Sequence, residues 1–303
     1  MKEEDPNWLM GVKLTDDCCK CTVTLSQTQY VELLLKRFHM EMCNLVSTPM
    51  DPGIVLTKAD CPKSDEEKED MSRYSYHKAL GGITWLTVVS RPDLAYAASQ
   101  PSQYSTNPGK THWKALMCIL KYLQGTHNLA LTLSRVSDAD SDPDVITGHT
   151  DTSWARNTDN HHSTSGYIFQ LSNAVILCNS KKQSNIAMSS SKAKYVALTH
   201  STKQALWLCY LMHDISMFNS GDPPTTELFS DNTAAIAIAR EACFHGWSRH
   251  ISTHFHFVHK HVEDGTFNIT HVPTAKMLAN RLTKPLTRQP HETMLTCFSL
   301  FPV

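Results

Sequence analysis

Val145-Ile146-Thr147-Gly148-His149-Thr150-Asp151, Ser165-Gly166-Tyr167-Ile168-Phe169-Gln170-Leu171 and Ala174-Val175-Ile176-Leu177-Cys178-Asn179-Ser180 are three short runs joined by polar turns such as Leu171-Ser172-Asn173. Runs of this length, rich in β-branched and aromatic residues, read as strands, and three in close succession read as a meander. The period then changes. From Ser191 to Met212 the spacing predicts a long helix, followed by a strand from Thr226 to Ser230 and a helix from Thr233 to Ala239. A helix from about His250 to Glu263 and a strand from Thr266 to Val272 come next. Strands interleaved with helices in this order predict an α/β domain, a sheet with helices against its faces.

Upstream, Val136 to Asp144 holds four aspartates, two serines and a proline, the best candidate linker in the chain. It divides a first region, 1–135, from a second, 145–290, with 291–303 as a tail. In the first region Cys21 to Leu25 alternates like a strand, and Ser26 is placed to cap a helix from Gln27 to Phe38. Lys58 to Met71 is highly charged and reads as an exposed loop. Two helices are expected from Tyr76 to Ser105, restarted at Arg91-Pro92. A third runs from Lys110 to Gln124, with Trp113, Leu116, Ile119, Leu120 and Leu123 on one face and Gly125 at its end. The first region is therefore expected to be mainly helical.

The chain has 303 residues, enough for about two domains at roughly 150 residues each. With 41% hydrophobic and 19% charged residues it has an ordinary globular composition, and no apolar run approaches the ~20 residues of a bilayer span. Met1 to Asp5 is acidic and lacks the basic and apolar parts of a secretory signal, so an intracellular location is expected. In that reducing setting the ten cysteines read as thiols. Cys18, Cys19 and Cys21 have no second pair at zinc-site spacing. The balance of 28 basic and 29 acidic side chains excludes a generally cationic nucleic-acid coat, so any phosphate contact must be local.

Local motifs go further than the order of elements. His149-Thr150-Asp151-Thr152-Ser153-Trp154-Ala155, Ser163-Thr164-Ser165-Gly166-Tyr167 and Ser180-Lys181-Lys182-Gln183-Ser184 follow one another. Phe229-Ser230-Asp231-Asn232 and Leu282-Thr283-Lys284-Pro285-Leu286 come after them. Together they resemble the strand and closing motifs of the ribonuclease H domain in copia-type retrotransposon polyproteins. Tyr76 to Leu86, Arg91-Pro92-Asp93-Leu94-Ala95-Tyr96 and Asn107-Pro108 through Thr126 resemble the end of the reverse transcriptase that precedes it. The resemblance covers about Trp8 to Leu286. It implies an RNase H-like mixed five-stranded sheet with flanking helices, preceded by a mainly helical thumb or connection remnant. Asp16-Asp17 lacks the flanking residues of the family's polymerase motif and reads as a surface turn, so no polymerase centre is expected here.

The resemblance also implies Mg²⁺ as cofactor and an RNA/DNA hybrid as partner. Paired divalent ions activate water and stabilise the leaving oxygen, and hard cations of this kind need anionic oxygen ligands. Of the family's four acidic positions, Asp151 and Asp231 are retained. Lys194 stands where a glutamate belongs in Ser191-Lys192-Ala193-Lys194-Tyr195, and Asn280 follows Leu278-Ala279 in place of an aspartate. Four carboxylates would bring a charge of −4, whereas these four side chains bring −1. At an effective dielectric near 20, an ammonium ~4 Å from one Mg²⁺ costs roughly 8 kcal/mol. Binding of a metal pair is not expected, Asp151 and Asp231 would hold a metal weakly at best, and Lys194 is expected to pair with one of them. The resemblance thus implies a degenerate nuclease, against which stand an active hybrid ribonuclease and a non-enzymatic binding module.

Other features weigh less. His250, His254, His256, His259 and His261 include a one-turn pair, but no cysteine or acidic partner at matching spacing, and a solvated helix face is expected. Lys181 and Lys182 are candidate phosphate-backbone contacts, and Trp113 or Trp154 could stack on bases or simply pack. Met188-Ser189-Ser190-Ser191 reads as a helix start.

Overall fold

The computed structural model of the chain describes residues 7–134, 145–171, 173–215, 226–240 and 252–303, with the side chains of 252–255 left aside. The expected linker at 136–144 and His250 lie outside the described residues, as does the side chain of His254. The chain forms β1 (Trp8–Leu9), β2 (Val12–Asp17), β3 (Thr22–Ser26), α1 (Thr28–Arg37), α2 (Asp65–Ser72), α3 (Tyr76–Val89), α4 (Ala95–Ser102), α5 (Lys110–Gly125) and β4 (Leu129–Ser134). It continues with β5 (Thr147–Ser153), β6 (Thr164–Leu171), β7 (Ala174–Lys182), α6 (Ser190–Asp214), β8 (Thr226–Ser230), α7 (Thr233–Arg240), α8 (Ser252–Glu263), β9 (Phe267–His271), α9 (Arg288–Cys297) and β10 (Leu300–Pro302).

These elements gather into two compact units, Met1–Arg135 with Asn173–Val175 and Pro285–Val303, and Val136–Ser172 with Ile176–Lys284. The first unit holds the expected helices. Leu34 and Leu35 of α1, Ile83 and Leu86 of α3, and Leu116, Ile119, Leu120 and Leu123 of α5 form one buried cluster. Each such aliphatic side chain contributes about 2 kcal/mol when fully buried. Trp113 packs here, 5.2 Å from the ring of Tyr74 and 6.1 Å from that of Phe38.

Two features of this unit differ from the sequence expectation. The charged stretch read as a loop contains α2, because Ser64 and Glu67 close a capping box: the Ser64 side chain accepts from Glu67 N and the Glu67 carboxylate accepts from Ser64 N. Only Met71 of this helix is buried, so its cap rather than an apolar stripe organises it. The unit also carries a five-stranded sheet in the order β1-β2-β3-β4-β10. The expected tail supplies its last strand, with Leu300 opposite Leu131, while α9 buries His291 and Met294 and Phe298 is buried just after it. The second region, expected to run to 290, thus gives way to the first unit at Pro285.

A buried polar chain runs through this unit. Arg91 Nε and Nη2 donate to the two Asp93 oxygens at 3.0 and 2.8 Å, Tyr122 Oη donates to Asp93 Oδ2 at 2.8 Å, and His291 Nε2 lies 2.9 Å from Tyr122 Oη. The tyrosine has one proton and gives it to Asp93, so His291 is the donor to it. Burial opposes the Asp93 charge, and the Arg91 guanidinium outweighs it, holding the carboxyl below its usual range.

In the second unit the strands form a mixed five-stranded sheet in the order β7-β6-β5-β8-β9. β5 runs antiparallel to β6 and parallel to β8, and β8 runs parallel to β9. This is the RNase H-like sheet the motifs imply. Its core joins Phe169, Tyr195, Leu198, Leu228, Val258, Phe267 and Ile269 from the sheet and from α6 and α8. Gly166 is required where it stands. A Cβ there would lie 2.9 Å from Leu282 Cβ and 3.1 Å from the Ala279 carbonyl oxygen, so only glycine lets the 278–282 turn approach β6.

Candidate functional site

Four elements of the second unit converge on one point. Asp151 sits near the end of β5, paired with Gly166 across the ladder. Asp231 follows β8, and Asn232 caps α7 by accepting from Ala235 N at 2.8 Å. Lys194 lies in the first turns of α6, whose start is capped by Ser189 Oγ accepting from Lys192 N. Asn280 belongs to the turn that Gly166 admits.

The ammonium of Lys194 lies between the two carboxylates, 2.6 Å from Asp231 Oδ1 and 3.5 Å from Asp151 Oδ1. The lysine side chain keeps 20% of its exposure against 6% and 3% for the aspartates, so the pair is largely withdrawn from water. The remaining carboxylate oxygens are also engaged. Thr274 Oγ1 donates to Asp231 Oδ2 at 2.9 Å. Thr283 Oγ1 lies 3.3 Å from Asp151 Oδ2 and 3.0 Å from the Asn280 carbonyl, its single proton shared between them. Burial raises the Asp151 pKa and the neighbouring Asp231 charge adds to that, against the lowering pull of Lys194.

This donor set does not fit a divalent cation. Each oxygen that would ligate it already faces an ammonium or a hydroxyl, and the cation would meet the positive charge of Lys194 at contact distance. Among the described residues, no three His, Cys, Asp or Glu side chains come together to hold a metal ion. Asn280 enters the site through its backbone carbonyl.

Several residues that organise the site carry no acid or base and were not singled out in sequence. Gln183 donates from Nε2 to Ser165 Oγ at 2.7 Å and to the Ala193 carbonyl at 2.9 Å, fixing the start of α6 against β6 and so aiming Lys194. Thr274 and Thr283 have the same supporting part. Gln183 and Thr283 lie within motifs that the sequence displays, which is a usable signal; nothing marks Thr274. Of the other candidates, Lys181 is exposed and Lys182 half-buried at the end of β7. His259 Nδ1 lies 3.2 Å from the Ala239 carbonyl and His261 packs edge-on against Phe257 and Phe267, so neither belongs to a ligand set. Asp17 accepts from Cys19 N and Lys20 N in the turn after β2, remote in sequence from these groups. Among the described residues no helix is long and apolar enough to cross a membrane.

No family model matches the chain. It is 32% identical over 293 residues to the retrovirus-related Pol polyprotein from transposon TNT 1-94 of Nicotiana tabacum, covering 96% of this chain and 21% of that protein. It is 40% identical over 138 residues to the secreted RxLR effector protein 161 of Plasmopara viticola, covering 46% of this chain and 94% of the effector. An N-terminal RNase H domain from Mycobacterium tuberculosis, solved as a fusion with maltose-binding protein, aligns with 50% of this chain and 94% of that one at 13% identity and a TM-score of 0.34. The fold assignment rests on the sheet order and not on that overlap. The chain spans about a fifth of the length of the curated Pol polyproteins it matches. With motifs, sheet order and sequence identity pointing the same way, the chain belongs to the copia-type retrotransposon Pol polyproteins and corresponds to a segment of them with an RNase H-like unit.

Proposed function

We propose that this chain is a nucleic-acid-binding RNase H-like protein that does not cleave RNA/DNA hybrids. The observation that carries this reading is the Lys194 ammonium at 2.6 Å from Asp231 and 3.5 Å from Asp151. Hydrolysis of a phosphodiester by this fold needs cations at those carboxylates to generate the nucleophile and to take up charge on the leaving oxygen. Lys194 supplies one fixed positive charge but no coordinated water, so the pocket is neutralised without gaining a nucleophile. Asp151 and Asp231 are thereby turned from ligands into ion-pair partners.

The RNA/DNA hybrid is the expected partner, and Lys181 and Lys182 at the end of β7 are its proposed backbone contacts. The test incubates the protein with a labelled hybrid in Mg²⁺ or Mn²⁺ and follows cleavage and binding separately. Binding that weakens with salt, with no cleavage in either metal, is the expected result. Mg²⁺-dependent cleavage by the unaltered protein, abolished by Asp151→Asn, would overturn the reading.

A further inference from the structure

Two tryptophans are candidates for base stacking in the sequence, and the structure separates them. Trp113 is packed among Phe38, Tyr74 and Tyr76. Trp154 is 51% exposed, yet its ring is held: Nε1 donates to the Ala187 carbonyl at 2.9 Å. The loop it leans on presents Ile186 at 53% and Met188 at 84% exposure. A large aromatic ring fixed by its polar edge to a segment that carries two exposed apolar side chains makes an ordered apolar shelf, and leaving it in water is costly.

The surroundings indicate what covers it. Trp154 directly follows β5, and Ser153 pairs with Thr164 across the ladder. Gln183 N donates to the Ser163 carbonyl, which brings the end of β7, with Lys181 and Lys182, to the same end of the sheet. From 154 to 192 the chain carries Arg156, Lys181, Lys182 and Lys192 against one acidic residue, Asp159, while the whole chain has a net charge of −1. This local excess of positive charge selects an anionic partner over an uncharged one. An apolar, π-faced surface with positive charge beside it fits an unpaired nucleotide, its base stacked on the indole and its phosphates near the lysines.

We propose that Trp154, with Ile186 and Met188, forms a stacking site for an unpaired base of a nucleic-acid strand. The proposal rests on the nucleic-acid-binding reading above and adds a single-stranded subsite to it. The shelf gives affinity without sequence preference, since every base has a π-face.

The test measures fluorescence anisotropy of the full chain with three labelled probes: a single strand of about twelve nucleotides, a blunt RNA/DNA hybrid, and the same hybrid with an unpaired overhang. One stacked base corresponds to about a 5- to 150-fold change in affinity. Trp154→Ala is expected to weaken the single strand and the overhang probe by that factor and the blunt hybrid by less than about twofold. Trp154→Phe is expected to keep most of the affinity. Met188→Ser, on a largely solvent-facing side chain, reports the shelf if Trp154→Ala does not fold. Equal single-strand binding by the unaltered chain and Trp154→Ala, or by Met188→Ser where that variant alone is folded, overturns the stacking site. So does a uniform loss on all three probes. Cleavage of the hybrid would instead overturn the non-cleaving reading and leave the shelf standing.

Discussion

Replacing Lys194 by methionine keeps an unbranched side chain one atom shorter and removes its charge. At an effective dielectric near 20, the contacts at 2.6 and 3.5 Å are worth about 6 and about 5 kcal/mol of Coulomb energy. Desolvation of the three groups offsets most of that, and removing one partner from a buried pair costs about 3–5 kcal/mol in practice. Lys194 keeps 20% of its exposure, so solvent screening lowers the expected loss to about 2–3 kcal/mol. That is about 5–10 °C in the melting of a unit this size. The loss also acquires a pH dependence. Burial already raises the Asp151 pKa and Lys194 opposes it, so methionine lets the folded-state pKa rise further. A carboxyl whose folded pKa exceeds its unfolded value lends stability at low pH that is lost as pH rises through the folded pKa. The deficit of Lys194→Met should therefore be largest near pH 7 and shrink toward about pH 4. Urea unfolding at both pH values measures it. A variant as stable as the parent at pH 7, or one whose deficit grows on acidification, would refute the reasoning.

His149 is held neutral, its pKa lowered by burial to about 4 from 6.5. A folded pKa below the unfolded one gives stability that is present above about pH 6.5 and lost as pH falls toward 4, worth roughly 3 kcal/mol at most; His149→Phe should flatten that part of the stability profile in denaturant titrations. Asp93→Asn leaves the buried Arg91 guanidinium without its anion and should cost the first unit about 3–5 kcal/mol, whereas Tyr122→Phe, which breaks the relay from His291, should cost about 1–2 kcal/mol. Calorimetry on the two variants checks the order, and equal losses would contradict it. Gly166→Ala must displace the 278–282 turn, at a cost of about 1–3 kcal/mol, and is expected to loosen the Thr283 contact to Asp151, which amide exchange in that turn would report.

Much of the second unit is legible in its sequence. The three runs of the meander, the period of α6 and the motif around Asp151 place the strands of the second unit, because alternation and local chemistry are properties of a few neighbouring residues. The identities at the site were equally legible: two aspartates, one lysine and one asparagine stand in the sequence as they stand in the pocket. What neighbouring residues do not encode is distance. That Lys194 reaches both carboxylates, 37 residues from one and 43 from the other, depends on Gln183 fixing α6 and on β5 and β8 lying side by side. Likewise α9 and β10 read as a tail because their few apolar residues gain a partner only when β4 is beside them. Trp113 and Trp154 carry the same side chain, and burial alone made one a packing residue and the other a shelf. Sequence determined which groups are available; the tertiary arrangement decided which of them meet, since charge pairing and burial act through space over a few ångströms and not along the chain.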